Sequence, residues 1–436
     1  MSEREPTVDF RQQKLPDFGH ELERSYDFLP YSDLKRWLPW DGYYENALRN
    51  LPLGRLNGVR ALSFLSYIGS PTDSVQILEY THTRFDHSLV VALVGEEILR
   101  RNGFPQEEIN TEIIADLTHD NGMPAYGDAT KKVDPDALDE EKHYWEALGK
   151  KGQTFVKSLG MSRRMLEPII RNEGILGQVL DIADRITYTM KDLHITASEA
   201  RDDAFLPTLN PHLLPIRYLL SHNHNIGNIY KEVGVDKNKQ EVFFNNPQHL
   251  HTFLLLRAHL HQMLYLNPIN QGRDLFIKHL IDPLYSRDGH NKLNPKILRS
   301  MTDQDLLTML QKHYSKYATI PNSLYYDLTS WYPSFKKFNS LDDAKKFESE
   351  LKKDKNIVII DKPYYCRGFN PATSYNIVAN KKGDIEPFRE RYSSAAREIE
   401  DIAESTKGVY VFYSDVSKNG KIDRLLKEIF SREQNK

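Results

Sequence analysis

His82-Thr83-Arg84-Phe85-Asp86-His87-Ser88-Leu89 leads into a run in which Leu89, Val90, Leu93, Val94 and Ile98 recur near the 3.6-residue period. The run stops at Asn102-Gly103, with Pro105 beyond, which predicts a helix over residues 88–101. A second helix is expected from Pro105, with Ile109, Ile113, Ile114 and Leu117 on one face and Asn121-Gly122 at its end. A third reads over about 177–193, and a fourth over about 250–266, where Pro268 stops it. The expected fold is therefore mainly α, a helical bundle over residues 51–330. Residues 1–50, aromatic and polar around Trp37, Trp40, Tyr43 and Tyr44, read as a packing arm. Beyond residue 330 the strand-like runs 356–360 (NIVII) and 408–413 (GVYVFY) alternate with amphipathic helices at 341–353, 386–404 and 421–431. That alternation predicts a small α+β appendage over 331–436. Lys345 to Lys355 reads as its solvated helix face.

Composition narrows the function classes. The 436 residues carry 58 Lys plus Arg against 61 Asp plus Glu, a net charge of −3, which argues against coating nucleic acid or anionic membrane. The single cysteine, Cys366, excludes an intramolecular disulfide and a cysteine-cage metal site. No apolar run approaches the ~18 residues of a membrane span, and the charged start MSEREPTVDFRQQ has no apolar core of a secretory signal. A cytoplasmic protein without a membrane partner is the expectation. P-loop, GxGxxG and HExxH motifs are absent.

Three segments share one chemical theme: residues 82–88 (HTRFDHS), 118–122 (THDNG) and 181–193 (DIADRITYTMKDL). Any one His or Asp on a helix is ordinarily structural. Together they offer two imidazoles and two carboxylates to one divalent cation, a mixed donor set suited to Mn, Fe, Mg, Zn or Ni. Such a set leaves coordination positions open for water and a phosphate oxygen.

The joint pattern resembles the HD-domain phosphohydrolases over roughly residues 50–285, and among them the dNTP triphosphohydrolases of the bacterial dGTP triphosphohydrolase type and the animal sterile-alpha-motif/HD type. HTRFDHSL is similar to that family's HTRFEHSLG segment, THDNG to its HD(I/L)GH segment and ADRITYTMKDL to its DADRxDYLxRD helix. The resemblance implies His87, His119, Asp120 and Asp184 as metal ligands, and Arg84 and Arg185 as phosphate contacts. It also places Tyr188 and Asp192 at a deoxyribose, the carboxylate accepting from the 3′-hydroxyl. Offsets of three, four and seven put Arg185, Tyr188 and Asp192 on one helix face. The helix around Leu256-Arg257 to Tyr265 is similar to a family segment whose arginine clamps the triphosphate and whose tyrosine borders the base. His259 and His261 read as packing or surface histidines. A homo-oligomer is a further expectation from the resemblance.

The chain departs from the family after the His-Asp pair. It has Met123 and Asp128 where the family has histidines, and a thioether transfers no proton. His143 matches another active-site histidine, and Asp128 is a candidate to accept a proton or bind a second cation, so these two are the expected catalytic groups. Three functions remain open on the sequence. One is hydrolysis of a dNTP to deoxynucleoside and inorganic triphosphate. A second is another HD phosphohydrolase, acting on nucleoside monophosphates, cyclic or signalling nucleotides. The third is a weakly active nucleotide-binding sensor.

Overall fold

The computed structural model describes residues 42–62, 65, 67–68, 75–76, 82–199, 216, 218–220, 223, 226–314, 331–373, 376–378, 384–418, 420 and 422–427. Trp37 and Trp40 of the expected arm lie outside these residues. The end of that arm forms helix α1 (Gly42–Asn50), whose buried Tyr44 donates its hydroxyl to Glu96 Oε2 at 2.8 Å.

Helix α2 (Arg84–Arg101) begins four residues before the helix expected over 88–101. The reason is a capping box: Thr83 Oγ1 accepts from Asp86 N, and the Asp86 carboxylate accepts from Thr83 N. His87 is thereby held in the first turn. Helix α3 (Gln106–Thr118) tightens into a 3₁₀ turn over His119–Gly122. Glycine is required at 122, because a Cβ there would lie 2.6 Å from Glu140 O. After Tyr126 and Gly127, both at positive φ, come the short α4 (Gly127–Lys131) and then α5 (Glu140–Ala147), α6 (Gly149–Ser158) and α7 (Arg163–Ile170).

Helix α8 (Gly174–Glu199) spans 26 residues and packs on α2, α7 and α9 (Pro247–Leu260). The apolar centre between these helices includes Val91, Ile114, Val179, Ile186, Phe253 and Leu256. α9 passes into a π-helical turn over His261–Tyr265 before Pro268 opens α10 (Pro268–Ile281). The π turn changes the angular spacing of its side chains, a distortion often found where a helix serves a site. Helices α11 (Pro295–Ser300) and α12 (Asp303–Tyr314) complete this region.

The fold is mainly α with small sheets. Strands β1 (Tyr67–Ile68) and β2 (Val75–Gln76) pair as an antiparallel ribbon. β3 (Val233–Asp236) and β4 (Glu241–Phe244) pair antiparallel within the helical region. In the C-terminal part, β10 (Gly408–Asp415) runs antiparallel to β5 (Ser334–Phe338) on one side and to β6 (Ile357–Ile359) and β7 (Tyr364–Cys366) on the other. Helix α13 (Leu341–Leu351) packs on that sheet. β8 (Asn376–Val378) then leaves the C-terminal part, pairs in parallel with β4, and is flanked by β9 (Ile385–Pro387). α14 (Phe388–Arg391) and α15 (Ser393–Ser405) follow, with α15 against α9.

A shared sheet and a shared core therefore cross the division expected at 330/331. Tyr410, Phe412 and Trp331 pack into one cluster with Leu275, Phe276 and Leu280 of α10. Gly272 makes the approach close, since a Cβ there would meet Pro333 Cγ at 2.8 Å and Phe412 Cδ1 at 2.9 Å. Buried Arg273 donates twice to Trp331 O, at 2.8 and 2.6 Å. These partners are remote in sequence, so no local pattern announces them.

Candidate metal centre and its cavity

Three helices bring the His and Asp side chains to one point. His87 Nε2, from the capped first turn of α2, lies 2.7 Å from Asp184 Oδ1 in the middle of α8. His119 Nε2, from the 3₁₀ turn, lies 3.8 Å from the same oxygen and 3.7 Å from Asp120 Oδ2. Asp120 Oδ2 is in turn 3.9 Å from His87 Nε2. His119 Nδ1 donates to Asp116 O at 2.6 Å. A carbonyl only accepts, so Nδ1 carries the proton and Nε2 presents its lone pair to the cluster.

The surrounding charges are arranged for ionised carboxylates. Burial opposes ionisation of Asp120, but the Arg84 guanidinium, whose Nη1 donates to Oδ2 at 3.0 Å, and the imidazoles outweigh it and hold the carboxyl well below the usual range. Asp184 is likewise lowered, with His87 prevailing over burial. Burial prevails at His87 and lowers it, whereas at His119 the carboxylates of Asp120 and Asp184 prevail and raise it.

The cluster borders a cavity of about 590 Å³ with two patches of distinct chemistry. The first, next to the cluster, carries Arg84, Lys131 and Lys132. Lys131 Nζ is bound by Asp128 Oδ1 at 2.8 Å and Glu140 Oε1 at 2.9 Å, and Lys132 Nζ by Asp274 Oδ2 at 2.6 Å. The second patch is aromatic. Tyr188 and Tyr265 meet edge-on at 5.9 Å, His261 lies 4.8 Å from Tyr265, and Phe369 stacks on His261 at 4.5 Å. Asp192 accepts from the Tyr265 hydroxyl, and its other oxygen lies 3.6 Å from His82 Nε2.

Among the described residues the lining holds five carboxylates, Asp128, Glu140, Asp184, Asp192 and Asp274, against three cations, Arg84, Lys131 and Lys132. An anionic phosphate enters such a wall only after another cation offsets the excess. The excess negative charge and the two-nitrogen, two-oxygen donor set both fit a divalent ion held by His87, His119, Asp120 and Asp184.

Placement of the other expected residues divides them. Arg84, Asp128, Tyr188, Asp192 and Tyr265 line the cavity, as does Met123. Arg185 is not in the lining; its Nη2 is paired along α8 with Asp181 Oδ1 at 2.8 Å. Arg257 is also outside it, its Nε donating to the Tyr188 hydroxyl and its Nη1 to Asn370 O at 2.7 Å. His143 differs from the expected proton donor: α5 presents its first residue, Glu140, to the cavity, while His143 lies outside the lining. Burial and Arg299 lower the His143 pKa, and its other charged neighbours are Glu146, Asp139 and Asp136. Asp128, whose side chain is 60% exposed, is lowered below the usual carboxylate range, chiefly by Lys131 and then by Arg84.

His261, expected to be bland, lines the cavity. Its spacing of four from both Arg257 and Tyr265 placed it on their face, a signal present in the sequence. Lys131 follows Asp128 by three and was legible in the same way. Asp274, Tyr364, Phe369 and Asn370 had no local signal, because tertiary packing delivers them.

No protein-family model and no curated protein matches the sequence. Solved structures do share the fold. A phosphohydrolase from Bacteroides thetaiotaomicron superposes with a TM-score of 0.58 at 14% identity, over 86% of this chain and 95% of its own. A hypothetical protein from Aquifex aeolicus superposes with a TM-score of 0.57 at 15% identity, over 88% and 97%. The chain thus shares its fold with these two proteins.

Proposed function

We propose that this protein is a metal-dependent phosphohydrolase of nucleotides, and specifically that it converts a dNTP and water to a deoxynucleoside and inorganic triphosphate. The observation that carries the reading is the continuity of the His87, His119 and Asp184 cluster, with Asp120 against both imidazoles, with a cationic patch on one side and an aromatic patch bearing Asp192 on the other. The cationic patch suits a polyphosphate, and the aromatic patch suits a base and sugar.

A divalent ion held by those four side chains would supply Lewis-acid charge neutralisation and an activated water. Arg84, already against Asp120, stands where it steadies a phosphate oxygen beside the cluster. Lys131 and Lys132 add positive charge farther along the wall, each kept protonated by its carboxylate partners. The Asp192 carboxylate accepts from a sugar hydroxyl, exchanging its bond from Tyr265 for one from substrate. Phosphoryl transfer depends on such positioning and charge stabilisation more than on covalent help.

Incubation of purified protein with each dNTP and Mn²⁺, followed by anion-exchange separation, tests this reading. Inorganic triphosphate in the products is expected. Release of monophosphate or pyrophosphate instead supports a second reading, a phosphohydrolase of monophosphates, cyclic or signalling nucleotides. That alternative is favoured by buried Met123 in the lining, where a thioether offers no proton. Tight dNTP binding without turnover would leave a nucleotide sensor. A homo-oligomer belongs to the same proposal, checked by light scattering.

A further inference from the structure

The segment between β7 and β8 is a thin partition. Phe369 and Asn370 line both the cavity of the candidate site and a second cavity, also of about 590 Å³, bordered by Thr373, Arg389, Glu400 and Lys407. Its backbone is built for the position. Gly368 sits at φ +76°, where an added Cβ would meet Lys407 Cγ at 2.9 Å, and Ala372 adopts φ 56° while its N–H donates to Asn370 Oδ1 at 2.9 Å. One residue ties this partition to the helical core. Arg257, 7% exposed, donates Nη1 to Asn370 O and Nε to the Tyr188 hydroxyl, and its guanidinium lies about equally far from the rings of Tyr188 and Phe369, 5.9 and 6.0 Å. Two of its five N–H donors are thus committed to the partition and to Tyr188, and the residue lies outside the lining.

We propose that residues 367–373 form the wall that recognises the base of a nucleotide, with Phe369 as the stacking contact and Arg257 as the positioning residue that holds both Phe369 and Tyr188 in place. This rests on the proposed nucleotide site and adds that the C-terminal part of the chain supplies specificity to it. Phe369 already stacks on His261 and extends the aromatic patch of Tyr188 and Tyr265. The second cavity borders the partition on its other side, so Phe369 and Asn370 are not packed against helical core there.

Calorimetric binding of the four dNTPs and of inorganic tripolyphosphate, with Ca²⁺ as the added cation, separates base recognition from phosphate recognition. Phe369→Ala is expected to weaken dNTP binding about 10-fold while changing tripolyphosphate binding less than about twofold. Phe369→Trp, which keeps an aromatic face, is expected to restore it. Arg257→Lys, which keeps the charge but not the two-pronged geometry, should weaken dNTPs alone and raise hydrogen exchange over residues 367–373. Equal weakening of tripolyphosphate by either substitution would overturn the proposal, as would unchanged dNTP binding in Phe369→Ala. A wild-type protein that binds no dNTP more tightly than tripolyphosphate would instead overturn the nucleotide reading itself. Thermal melts of each variant establish that the fold is retained.

Discussion

Asp128 Oδ1 lies 2.8 Å from Lys131 Nζ, one turn along the same short helix, and this pairing decides what Asp128 can do. Lys131 keeps the carboxyl ionised far below neutral pH, so it cannot serve as a proton donor there. Asp128→Asn should lower kcat/KM by about tenfold, the loss of a charge partner for Lys131, and leave the shape of the pH–rate profile between pH 5 and 9 unchanged. A limb of the profile that disappears in the variant would show that Asp128 transfers a proton after all.

Metal retention is expected to depend on all three helices. His119→Ala combined with Asp120→Ala removes two of four donors and should abolish both metal content, read by elemental analysis, and turnover. Turnover persisting in the double variant would sink the metal assignment.

Asp303 predicts a pH dependence of stability. Its carboxylate accepts from Arg60 N at 2.9 Å and Tyr126 N at 2.6 Å, but burial outweighs both and lifts its pKa from 3.8 to about 6. The folded state therefore holds a proton that the unfolded chain releases. The contribution is fully present below pH 3.8 and is lost as pH rises through about 6, about 3 kcal/mol across that window. Urea midpoints of wild type and Asp303→Asn, compared from pH 4 to 7, should converge or cross in that direction. A wild-type advantage that grows with pH would contradict the assignment.

Gly95 carries a steric prediction. A Cβ there would approach Asp116 Oδ2 to 2.3 Å, and the backbone oxygen of Asp116 orients His119. Gly95→Ala should cost about 1–3 kcal/mol by overpacking and lower metal content with it. Adding Asp116→Ala should return part of the stability, as read by thermal melts.

The helices and the cluster were legible because their signals are local. Asn102-Gly103 ends α2 as its residue types imply, and the candidate ligands lie in short motifs at helix ends and on one helix face. The Thr83–Asp86 capping box that starts α2 precedes the hydrophobic period and was not read. Arg257 shows the limit. The resemblance implied that it clamps a triphosphate, but its Nη1 donates to the carbonyl of Asn370, 113 residues away in sequence. His143, matched to a family active-site histidine by resemblance, lies outside the cavity lining, whereas Glu140 at the start of α5 is in it.

What the sequence by itself determined was the mainly α fold and the donor chemistry offered by the candidate metal-ligating side chains, since hydrophobic period, helix ends and residue type act over a few positions. Tertiary structure alone decided the composition of the cavity wall. Asp274 reaches it from α10, and Tyr364, Phe369 and Asn370 are brought to it where Gly272 lets the C-terminal sheet close on α10 and β8 adds to β4. Those contacts depend on shape and unpaired strand edges brought together by folding, and no short window of sequence contains both partners.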